Sequence, residues 1–414
     1  MSQSSTKPAR KWPVAVLGAT GAVGQTFIRL LEGHPWFYVA EVAASERSAG
    51  KPYAEATRWI EGTMPSDVAA LTVKNCDPSD VSSRIVFSAL DSNVAGEVEG
   101  AFARSGALVL SNAKNYRMEQ DVPLVIPEVN ASHLALLPVQ RRNRGFAPTG
   151  GIVTNANCAA TMATMALAPL HEAFGLDKVF ATTMQAISGA GYPGVPSLDI
   201  LGNVIPYIGD EEPKIEREMN KMLGRFAGDG VEFAPFVVSA HANRVATENG
   251  HMVCLSVSFR KKATAEDALA ALRAWRGESI VQGLPSAPAF PLVVTDAADR
   301  PQTRRDVGAG RGMTVTVGRV RPDPILDVKL VALGHNTIRG AAGGSILNAE
   351  VLAAQGRSTP HDRRQVRRDV GGRHRRHRAP GGDRARQAAA PADRHRLGNG
   401  RGDECPHRHR RAGG

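Results

Sequence analysis

The sequence predicts an α/β protein in which a doubly wound parallel sheet is joined to an α+β region with a largely antiparallel sheet. Over the first 150 residues, short apolar β-branched runs alternate with helical patterns. This alternation is typical of βαβ units and of a parallel sheet. Farther along the chain, strands outnumber helices, which favours antiparallel pairing in a second sheet.

The predicted strands of the first half are, in order, PVAVLG, FYVAEVAAS, RIVFSAL, ALVLSNA and PLVIPEV. Helices are predicted from about Val23 and around NVAGEVEGAFARSG. A polar stretch rich in Arg and Gly, QRRNRGFAPTGG (140–151), has the composition of a crossing between domains.

The second half begins with the strand IVTN and a helix from Cys158. Its further helices are DEEPKIEREMNKMLGRF, TAEDALAALRAWR and GGSILNAEVLAAQ, the second of which opens with Thr264 and Asp267 in a capping-box pattern. Its further strands are VFATTMQAIS, FVVSAHA, HMVCLSVSF, PLVVTD, MTVTVGRV and ILDVKLVAL.

The net charge of +11 over 414 residues lies entirely in the C-terminal tail. From Arg357 onward there are 17 Arg against 6 acidic residues, so residues 1–356 are neutral overall. The tail lacks Phe, Tyr, Trp, Ile and Met, and we expect residues 357–414 to be disordered. Such a tail is either an Arg-rich nucleic-acid arm or the product of a shifted reading frame. We favour the shifted frame and expect no nucleic-acid partner.

The four cysteines show no metal-ligand spacing, and no signal peptide or apolar membrane span is recognisable in the sequence. We therefore expect reduced thiols, no bound metal, no membrane association and a cytoplasmic location.

A glycine-rich turn in VAVLGATGAVG separates the first strand from the first helix. Glycines there let a pyrophosphate approach the backbone and the helix N-terminus, so the turn indicates dinucleotide binding. A tight turn without a ligand is the alternative. The residues assigned to this turn are Gly18, Thr20, Gly21, Ala22, Val23 and Gly24.

The end of the second strand bears on the choice between NAD and NADP. A carboxylate there would bind the ribose hydroxyls, whereas a 2′-phosphate requires cations and hydroxyls. Ser45, Arg47 and Ser48 follow this strand. We expect NADP, with the neighbouring Glu46 turned outward.

Cys158 stands at the start of a predicted helix, where the helix dipole would lower the pKa of its thiol. Ala159 and Ala160 would leave space for a substrate. Spacing alone leaves a buried packing role equally open. His251 opens a strand seven residues after Arg244 and is a candidate base, although a lone histidine there is more often structural. Cys254 alternates with the residues of the apolar face and indicates packing only.

Taken in order, the motifs resemble aspartate-semialdehyde dehydrogenase in the branch typical of archaea and fungi. The resemblance runs from about Trp12 to Gln355, and the tail has no counterpart in the family. One departure is local: Ala156, Ala159 and Ala160 replace the residues usual around the family's cysteine. The matching motifs are GATGAVG, AASERSAGKPY, VFSALDSNVAGEVE, SNAKNYRMEQDVPLVIPEVN, TNANCAA, SGAGYPG, RVATENGH and HNTIRGAAGGSILNAE.

The resemblance implies reductive dephosphorylation of 4-aspartyl phosphate by NADPH, giving aspartate 4-semialdehyde on the way to lysine, methionine and threonine. It implies that Cys158 forms a thioester, which accepts hydride more readily than a carboxylate does. It further implies that His251 is the acid/base group and that Gln185 orients the acyl group.

For the substrate, the resemblance assigns Arg244 to the α-carboxylate, Glu218 to the ammonium, and Lys221 and Arg117 to the phosphate. Glu218 and Lys221 are three residues apart and share a helix face. Without the resemblance, a surface ion pair on that helix would be the preferred interpretation.

For the cofactor, Ser188, Gly189 and Asn336 correspond to positions that line the nicotinamide. Ser88, Ala89 and Leu90 correspond to the segment beside the adenosine half. The implied organisation is a Rossmann-like NADP-binding domain at 1–153 completed by 334–356, with an inserted catalytic and dimerisation domain at 154–333.

The resemblance also implies a homodimer or homotetramer. A malonyl-CoA reductase, which uses the same thiol and hydride chemistry on a CoA thioester, is the rival enzyme. A nucleic-acid-binding protein acting through the tail is the rival from another class.

Overall fold

A computed structural model describes residues 11–356 of the chain. The predictions made for the tail, 357–414, lie outside the described residues.

The first sheet has six strands, all parallel, in the order β3-β2-β1-β4-β5-β6. Its strands are β1 (Trp12–Leu17), β2 (Phe37–Ala44), β3 (Lys74–Asn75), β4 (Ile85–Ser88), β5 (Leu108–Ser111) and β6 (Gly151–Thr154). The helices of this half are α1 (Ala22–Leu31), α2 (Tyr53–Ala56), α3 (Ser66–Ala69), α4 (Ser92–Arg104), α5 (Pro127–Asn130) and α6 (Leu137–Arg144). A 3-10 helix, Ala131–Leu136, lies between the last two.

Both faces of this sheet are covered, as the continuous apolar strands require. Phe27 of α1 and Leu347 belong to the core on one face, and Phe102 of α4 belongs to the core on the other. Leu347 lies in the last helix, α12 (Gly343–Ala354), so the end of the described chain packs on the first sheet. The predicted doubly wound fold is confirmed.

The second sheet has six strands in the order β10-β7-β11-β14-β13-β12. Its three central pairs are antiparallel and its two outer pairs are parallel. Its strands are β7 (Leu176–Gln185), β10 (Val237–Arg244), β11 (His251–Phe259), β12 (Leu292–Thr295), β13 (Val315–Pro322) and β14 (Val328–Gly334). A small hairpin pairs β8 (Arg225–Phe226) with β9 (Val231–Glu232).

The helices of this half are α7 (Cys158–Phe174), α8 (Ser197–Ile200), α9 (Glu211–Met222), α10 (Ala265–Ala274) and α11 (Thr303–Asp306). Three short 3-10 helices cover Ile187–Ala190, Ser279–Val281 and Ala309–Gly312, and a π-helix covers Ile338–Ala342. Thr264 and Asp267 form the predicted capping box at the start of α10.

Helix α7 lies on one face of the second sheet and is buried along most of its length. On β11, residues that face this helix are buried and the alternating residues are half-buried. Phe180 of β7 and Val237 of β10 are exposed. This face therefore presents apolar side chains that no other described part of the chain covers.

Two sequence predictions about local structure are wrong. PLVIPEV is not a strand: Leu124 makes only an isolated bridge to Thr154, and Pro127 begins α5 because proline fits the first turn of a helix. The stretch 140–151 does not cross between domains, since it comprises the end of α6 and the loop that leads into strand β6 of the first sheet.

Within residues 11–356, no helix combines the length and the apolar character needed to cross a membrane.

Candidate active site

The glycine turn between β1 and α1 is shaped for a close ligand approach. Gly18 has a left-handed backbone with φ of 68°. A Cβ atom on Gly24 would stand 2.3 Å from the carbonyl oxygen of Gly18, so only glycine allows the helix to begin this close to the strand. The segment Ser88–Leu90 borders the turn, because a Cβ atom on Gly18 would stand 2.5 Å from Ala89 O.

The residues assigned to the choice of cofactor lie immediately after β2. Ser45 and Arg47 are exposed and Ser48 is half-buried. This end of β2 is beside the glycine turn, because the amide of Ala19 donates to Ala43 O at 3.0 Å. A guanidinium and two hydroxyls are therefore presented beside the turn, together with the exposed Glu46.

The residues assigned to the nicotinamide half come from two segments, which meet a third at Gly250. Asn336 Nδ2 donates to Ser188 Oγ at 2.8 Å, and Asn336 Oδ1 accepts from the amide of Gly250 at 2.8 Å. A Cβ atom on Gly189 would stand 2.9 Å from Arg244 Nη1 and 3.0 Å from His251 Nε2. This cluster therefore joins the assigned cofactor residues to the assigned catalytic residues.

Cys158 is the first residue of α7, directly after Asn157, whose side chain caps the helix by accepting from the amide of Ala160. A Cβ atom on Gly340 in the π-helix would stand 2.7 Å from Cys158 Cβ. The thiol is half-buried between these segments. Ala159 and Ala160 do not open space for a substrate, because both are fully buried in the core of the second sheet.

The thiol is not ionised in the free protein. Burial, and after it the nearby Glu211 carboxylate, raise the pKa of Cys158 to about 12, against the opposing effect of Arg117. The expected lowering of the thiol pKa by the helix N-terminus is therefore outweighed by desolvation.

His251 is fully buried at the start of β11. Its Nδ1 accepts from the amide of Ala186 at 3.1 Å, so the neutral ring carries its hydrogen on Nε2, which lies 3.3 Å from Gln185 Nε2. Burial lowers the pKa of His251 to about 3, and the ring is uncharged at neutral pH. In this tautomer Nε2 is a hydrogen-bond donor, and accepting the thiol proton there requires the other tautomer.

Arg244 ends β10, in register with Gln185 at the end of the neighbouring β7. Its Nη1 donates to Ala186 O at 2.8 Å. The parallel pairing brings both side chains to the same edge of the sheet, next to His251.

Lys221 disagrees with its predicted role. It is fully buried, and its ammonium donates to the backbone carbonyl oxygens of Arg117, Glu119 and Val122 at 2.6, 2.6 and 2.8 Å. All three ammonium hydrogens are used, so none remains for a phosphate. Lys221 instead fixes the segment that carries Arg117.

Glu218 has one hydrogen-bond partner on each carboxylate oxygen. Its Oε1 accepts from Arg117 Nη1 at 3.0 Å and its Oε2 accepts from the amide of Asn157 at 2.5 Å. Arg117 Nη2 donates to Asn112 O, whereas the buried Arg117 Nε has no partner among the described residues. The surface ion pair considered for Glu218 and Lys221 is also wrong, because both are buried.

The prediction missed Glu211, at the first position of α9. Its Oε1 accepts from Asn157 Nδ2 at 2.7 Å and from Gln185 Nε2 at 3.0 Å, and its Oε2 lies 3.4 Å from Lys214 Nζ. Burial acts to raise the pKa of Glu211, but the hydrogen bonds from Asn157 and Gln185 outweigh it and the pKa is lowered. The sequence signal was present: Glu211 and Lys214 have the spacing of Glu218 and Lys221, seven residues earlier.

No cluster of three or more His, Cys, Asp or Glu side chains suited to a metal ion occurs within residues 11–356.

Comparison with known proteins matches both halves of the chain to family models. Residues 13–137 match the semialdehyde dehydrogenase NAD-binding domain, and residues 167–339 match the semialdehyde dehydrogenase dimerisation domain. The fold and the cysteine site thus define a semialdehyde dehydrogenase with a dinucleotide-binding half and a dimerisation half.

Similar individual proteins indicate which kind of semialdehyde dehydrogenase this is. Aspartate-semialdehyde dehydrogenase of Archaeoglobus fulgidus is 49% identical over 343 residues, covering 83% of this chain and 98% of the relative. The enzyme of Schizosaccharomyces pombe is 47% identical over 351 residues, with the same coverage. The crystal structure of aspartate semialdehyde dehydrogenase with NADP from Candida albicans has a TM-score of 0.77 and 41% identity, covering 84% of this chain and 100% of that one. The chain belongs to the aspartate-semialdehyde dehydrogenase family.

Proposed function

We propose that this protein catalyses the NADP-dependent reductive dephosphorylation of 4-aspartyl phosphate to aspartate 4-semialdehyde, through a thioester on Cys158. The observation that carries the proposal is the chain of contacts from Asn157, next to Cys158, through Glu211 and Gln185 to His251. It connects the nucleophile to the assigned acid/base group at one edge of the second sheet. The relatives named aspartate-semialdehyde dehydrogenase support this choice of substrate.

The residues present fit a dinucleotide. The turn at Gly18 and Gly24 leaves no room for a Cβ atom, and the exposed Arg47 suits the 2′-phosphate that distinguishes NADP. The NADP in the Candida albicans structure supports the same choice. When bound, NADPH supplies the hydride.

The remaining chemistry belongs to the side chains of this chain. Sγ of Cys158 attacks the acyl carbon and its proton passes through Nε2 of His251 to the departing phosphate, as the bond between the acyl carbon and the phosphate oxygen breaks. Reduction of the thioester gives a thiohemiacetal alkoxide on Cys158, to which Nε2–H of His251 donates a hydrogen bond. Collapse of the alkoxide releases the aldehyde and the thiolate. We propose Gln185 as the residue that orients the acyl group and His251 as the acid/base group, working at Nε2.

For the substrate's charged groups, we propose Arg244 for the α-carboxylate, since its guanidinium lies at the edge next to His251. Glu218 is proposed for the ammonium, because each carboxylate oxygen can accept two hydrogen bonds and its contacts with Arg117 and Asn157 use only one on each. Glu211, which also accepts from Asn157, lies beside it. Lys214, whose side chain is partly exposed, replaces Lys221 for the phosphate.

Arg117 remains a proposed phosphate ligand on account of its unpartnered Nε. Ser188, Gly189 and Asn336 are proposed at the nicotinamide.

The proposed domain division keeps 1–153 with 334–356 as the NADP-binding domain and 154–333 as the catalytic domain. The packing of α12 on the first sheet supports it. We propose a homodimer or homotetramer that covers the exposed face of β7 and β10, where Phe180 and Val237 lie. The matched dimerisation domain supports assembly between copies.

Assays of turnover with aspartate semialdehyde and with malonyl-CoA test the proposed function. The protein should form NADPH from aspartate semialdehyde only when inorganic phosphate is present, and it should not reduce malonyl-CoA. Reduction of malonyl-CoA without activity on aspartate semialdehyde would favour the rival reductase.

A further inference from the structure

A cavity of about 200 Å³ lies at the C-terminal end of α1. Its lining includes the buried side chains of Met313, Ile338 and Ile346 and the exposed residues Glu32 and Arg311. This cavity, called the α1 cavity, therefore has an apolar interior and charged groups at its mouth. The residues proposed for catalysis, for the substrate and for NADP do not line it. A cavity of about 150 Å³ can hold a benzene molecule, so a small organic ligand fits the α1 cavity.

The backbone of Arg311 is strained. Its φ of 59° is left-handed, and Gly310 and Gly312 on either side have φ of 56° and 84°. Glycine takes this conformation readily, whereas other residues do so at a cost in free energy, and such residues cluster at functional sites. Arg311 Nη2 donates to the carbonyl oxygen of Pro285, another lining residue, at 3.0 Å. The strained turn thus holds a guanidinium at the cavity.

The apolar interior of the α1 cavity is tightly supported. A Cβ atom on Gly312 would stand 2.8 Å from Ile338 Cδ1, and a Cβ atom on Gly343 would stand 2.6 Å from Met313 Sδ. These close contacts fix the positions of the side chains that line the cavity. Binding a ligand there therefore requires little rearrangement, which favours affinity.

The opposite charge comes from the end of α1. Glu32 directly follows this helix, and the last carbonyl groups of a helix carry a partial negative charge that favours a cation. Arg29, the basic residue in the last turn, pairs with Glu61 at 2.6 Å. Within residues 11–356, neither Glu32 nor Arg311 has an ion-pair partner. The cavity mouth therefore offers a carboxylate and a guanidinium that a ligand can pair with.

We propose that the α1 cavity binds a free α-amino acid whose apolar side chain is about the size of that of leucine or methionine. The carboxylate of the ligand pairs with Arg311, and its ammonium pairs with Glu32 at the end of α1. Its side chain packs on Met313, Ile338 and Ile346. Opposite charges at the mouth select a zwitterion over a simple acid or amine. This site is separate from the proposed substrate site and does not depend on the proposed function.

Isothermal titration calorimetry of the full-length protein with L-norleucine tests binding directly. Norleucine has the zwitterionic head group and an unbranched apolar side chain, whereas hexanoate lacks the ammonium and pentylamine lacks the carboxylate. We expect norleucine to bind saturably, and hexanoate and pentylamine to bind about tenfold more weakly or less, since each loses a charge-assisted contact. Absence of norleucine binding, or equal binding of the three compounds, would overturn the proposal.

Arg311→Gly removes the guanidinium at a backbone conformation that glycine favours, so the variant should fold. Norleucine should bind it about tenfold more weakly or less, while NADPH binding, which reports folding, should match the wild type. Arg304→Ala is the matched control, because Arg304 is an exposed arginine of the nearby α11 that does not line the cavity. Unchanged norleucine binding in Arg311→Gly, or an equal loss in Arg304→Ala, would contradict the assignment.

A further variant distinguishes the α1 cavity from the substrate site, because the proposed substrate is itself an amino acid. Arg244→Gln removes the guanidinium proposed for the α-carboxylate of the substrate, and norleucine should bind this variant as tightly as the wild type. Binding that is lost in Arg244→Gln and kept in Arg311→Gly would place norleucine in the substrate site and overturn the proposal. Calorimetry requires no turnover, so a failure of the proposed function would appear separately, in the turnover assay.

Discussion

Gly340 of the π-helix lies so close to Cys158 that a Cβ atom on Gly340 would stand 2.7 Å from Cys158 Cβ and 3.0 Å from Cys158 Cα. The neighbouring Arg339 is buried and pairs with Glu128 through both terminal nitrogens. Because this ion pair holds the π-helix in place, the backbone at Gly340 packs tightly against Cys158 and limits where its thiol can lie.

We therefore expect Gly340→Ala to displace the thiol and to lower kcat by about 100-fold, since a misplacement of about 1 Å at a reacting group can cost that much. Binding of NADPH, measured by fluorescence titration, should change little. Full kcat in a folded Gly340→Ala protein would show that the contact does not position the thiol. Gly33→Ala is not a suitable control, because Gly33 has a left-handed backbone. Gly308→Ala is suitable, since nothing lies within 4 Å of its Cβ position.

Substitutions at Lys221 and Lys214 should have different effects, the first on the stability of the protein and the second on catalysis. Lys221→Met removes the ammonium from which three backbone carbonyl oxygens accept, and we expect it to lower the free energy of unfolding by about 3 kcal/mol. Lys214→Met, which loses a single 3.4 Å contact from a partly exposed side chain, should lower stability by less than Lys221→Met does, while raising KM for phosphate. Urea unfolding and initial rates at varied phosphate measure the two effects. The reverse pattern would restore Lys221 as the phosphate ligand.

Arg47 should determine the preference for NADP. Loss of a charge-assisted hydrogen bond to the 2′-phosphate costs about 1.5 to 3 kcal/mol, so Arg47→Ala should raise KM for NADP by about tenfold or more. KM for NAD should stay nearly constant, and Glu46→Ala should leave KM for NADP nearly unchanged. If Arg47→Ala affects both cofactors equally, Arg47 does not read the 2′-phosphate.

The activity should rise with pH, and the pH profile should show no inflection from titration of a histidine. With the pKa of Cys158 raised to about 12 by burial, the thiolate fraction of the free protein grows about tenfold per pH unit across the neutral range. With the pKa of His251 lowered to about 3, its protonation cannot limit the rate above pH 5. We expect log kcat/KM to increase from pH 6 to 9 without a break near 6.5. A break there that disappears in His251→Gln would show that His251 titrates in the working range.

The sequence predicted most of the fold because its patterns are local. The alternating β-branched runs specified both sheets, and Thr264 and Asp267 identified the start of α10 correctly. The prediction failed where tertiary contacts decide the outcome: PLVIPEV has strand composition, yet Pro127 begins a helix in it.

The candidate site likewise contains residues that local motifs identify and residues whose roles depend on tertiary contacts. Motifs and the family resemblance together indicated Cys158, Gln185, Arg244 and His251, and these four side chains lie in one region of the structure. The helix α9 carries two Glu-x-x-Lys pairs two turns apart, and spacing alone cannot tell which pair faces the thiol. Their hydrogen bonds distinguish them, because Lys221 binds only backbone oxygens while Glu211 contacts Gln185. Desolvation of Cys158 is likewise a property of the surrounding chain and cannot be read from its position on α7.

In the proposed reaction, Cys158 carries the acyl group while the acyl carbon of the aspartyl group is oxidised or reduced. The most direct measurement is NADPH formation from aspartate semialdehyde and phosphate, followed at 340 nm for the wild type and for Cys158→Ala, with NADPH binding measured on both. We expect phosphate-dependent turnover in the wild type, none in Cys158→Ala, and NADPH binding in both. Turnover that survives in Cys158→Ala would contradict this role of Cys158.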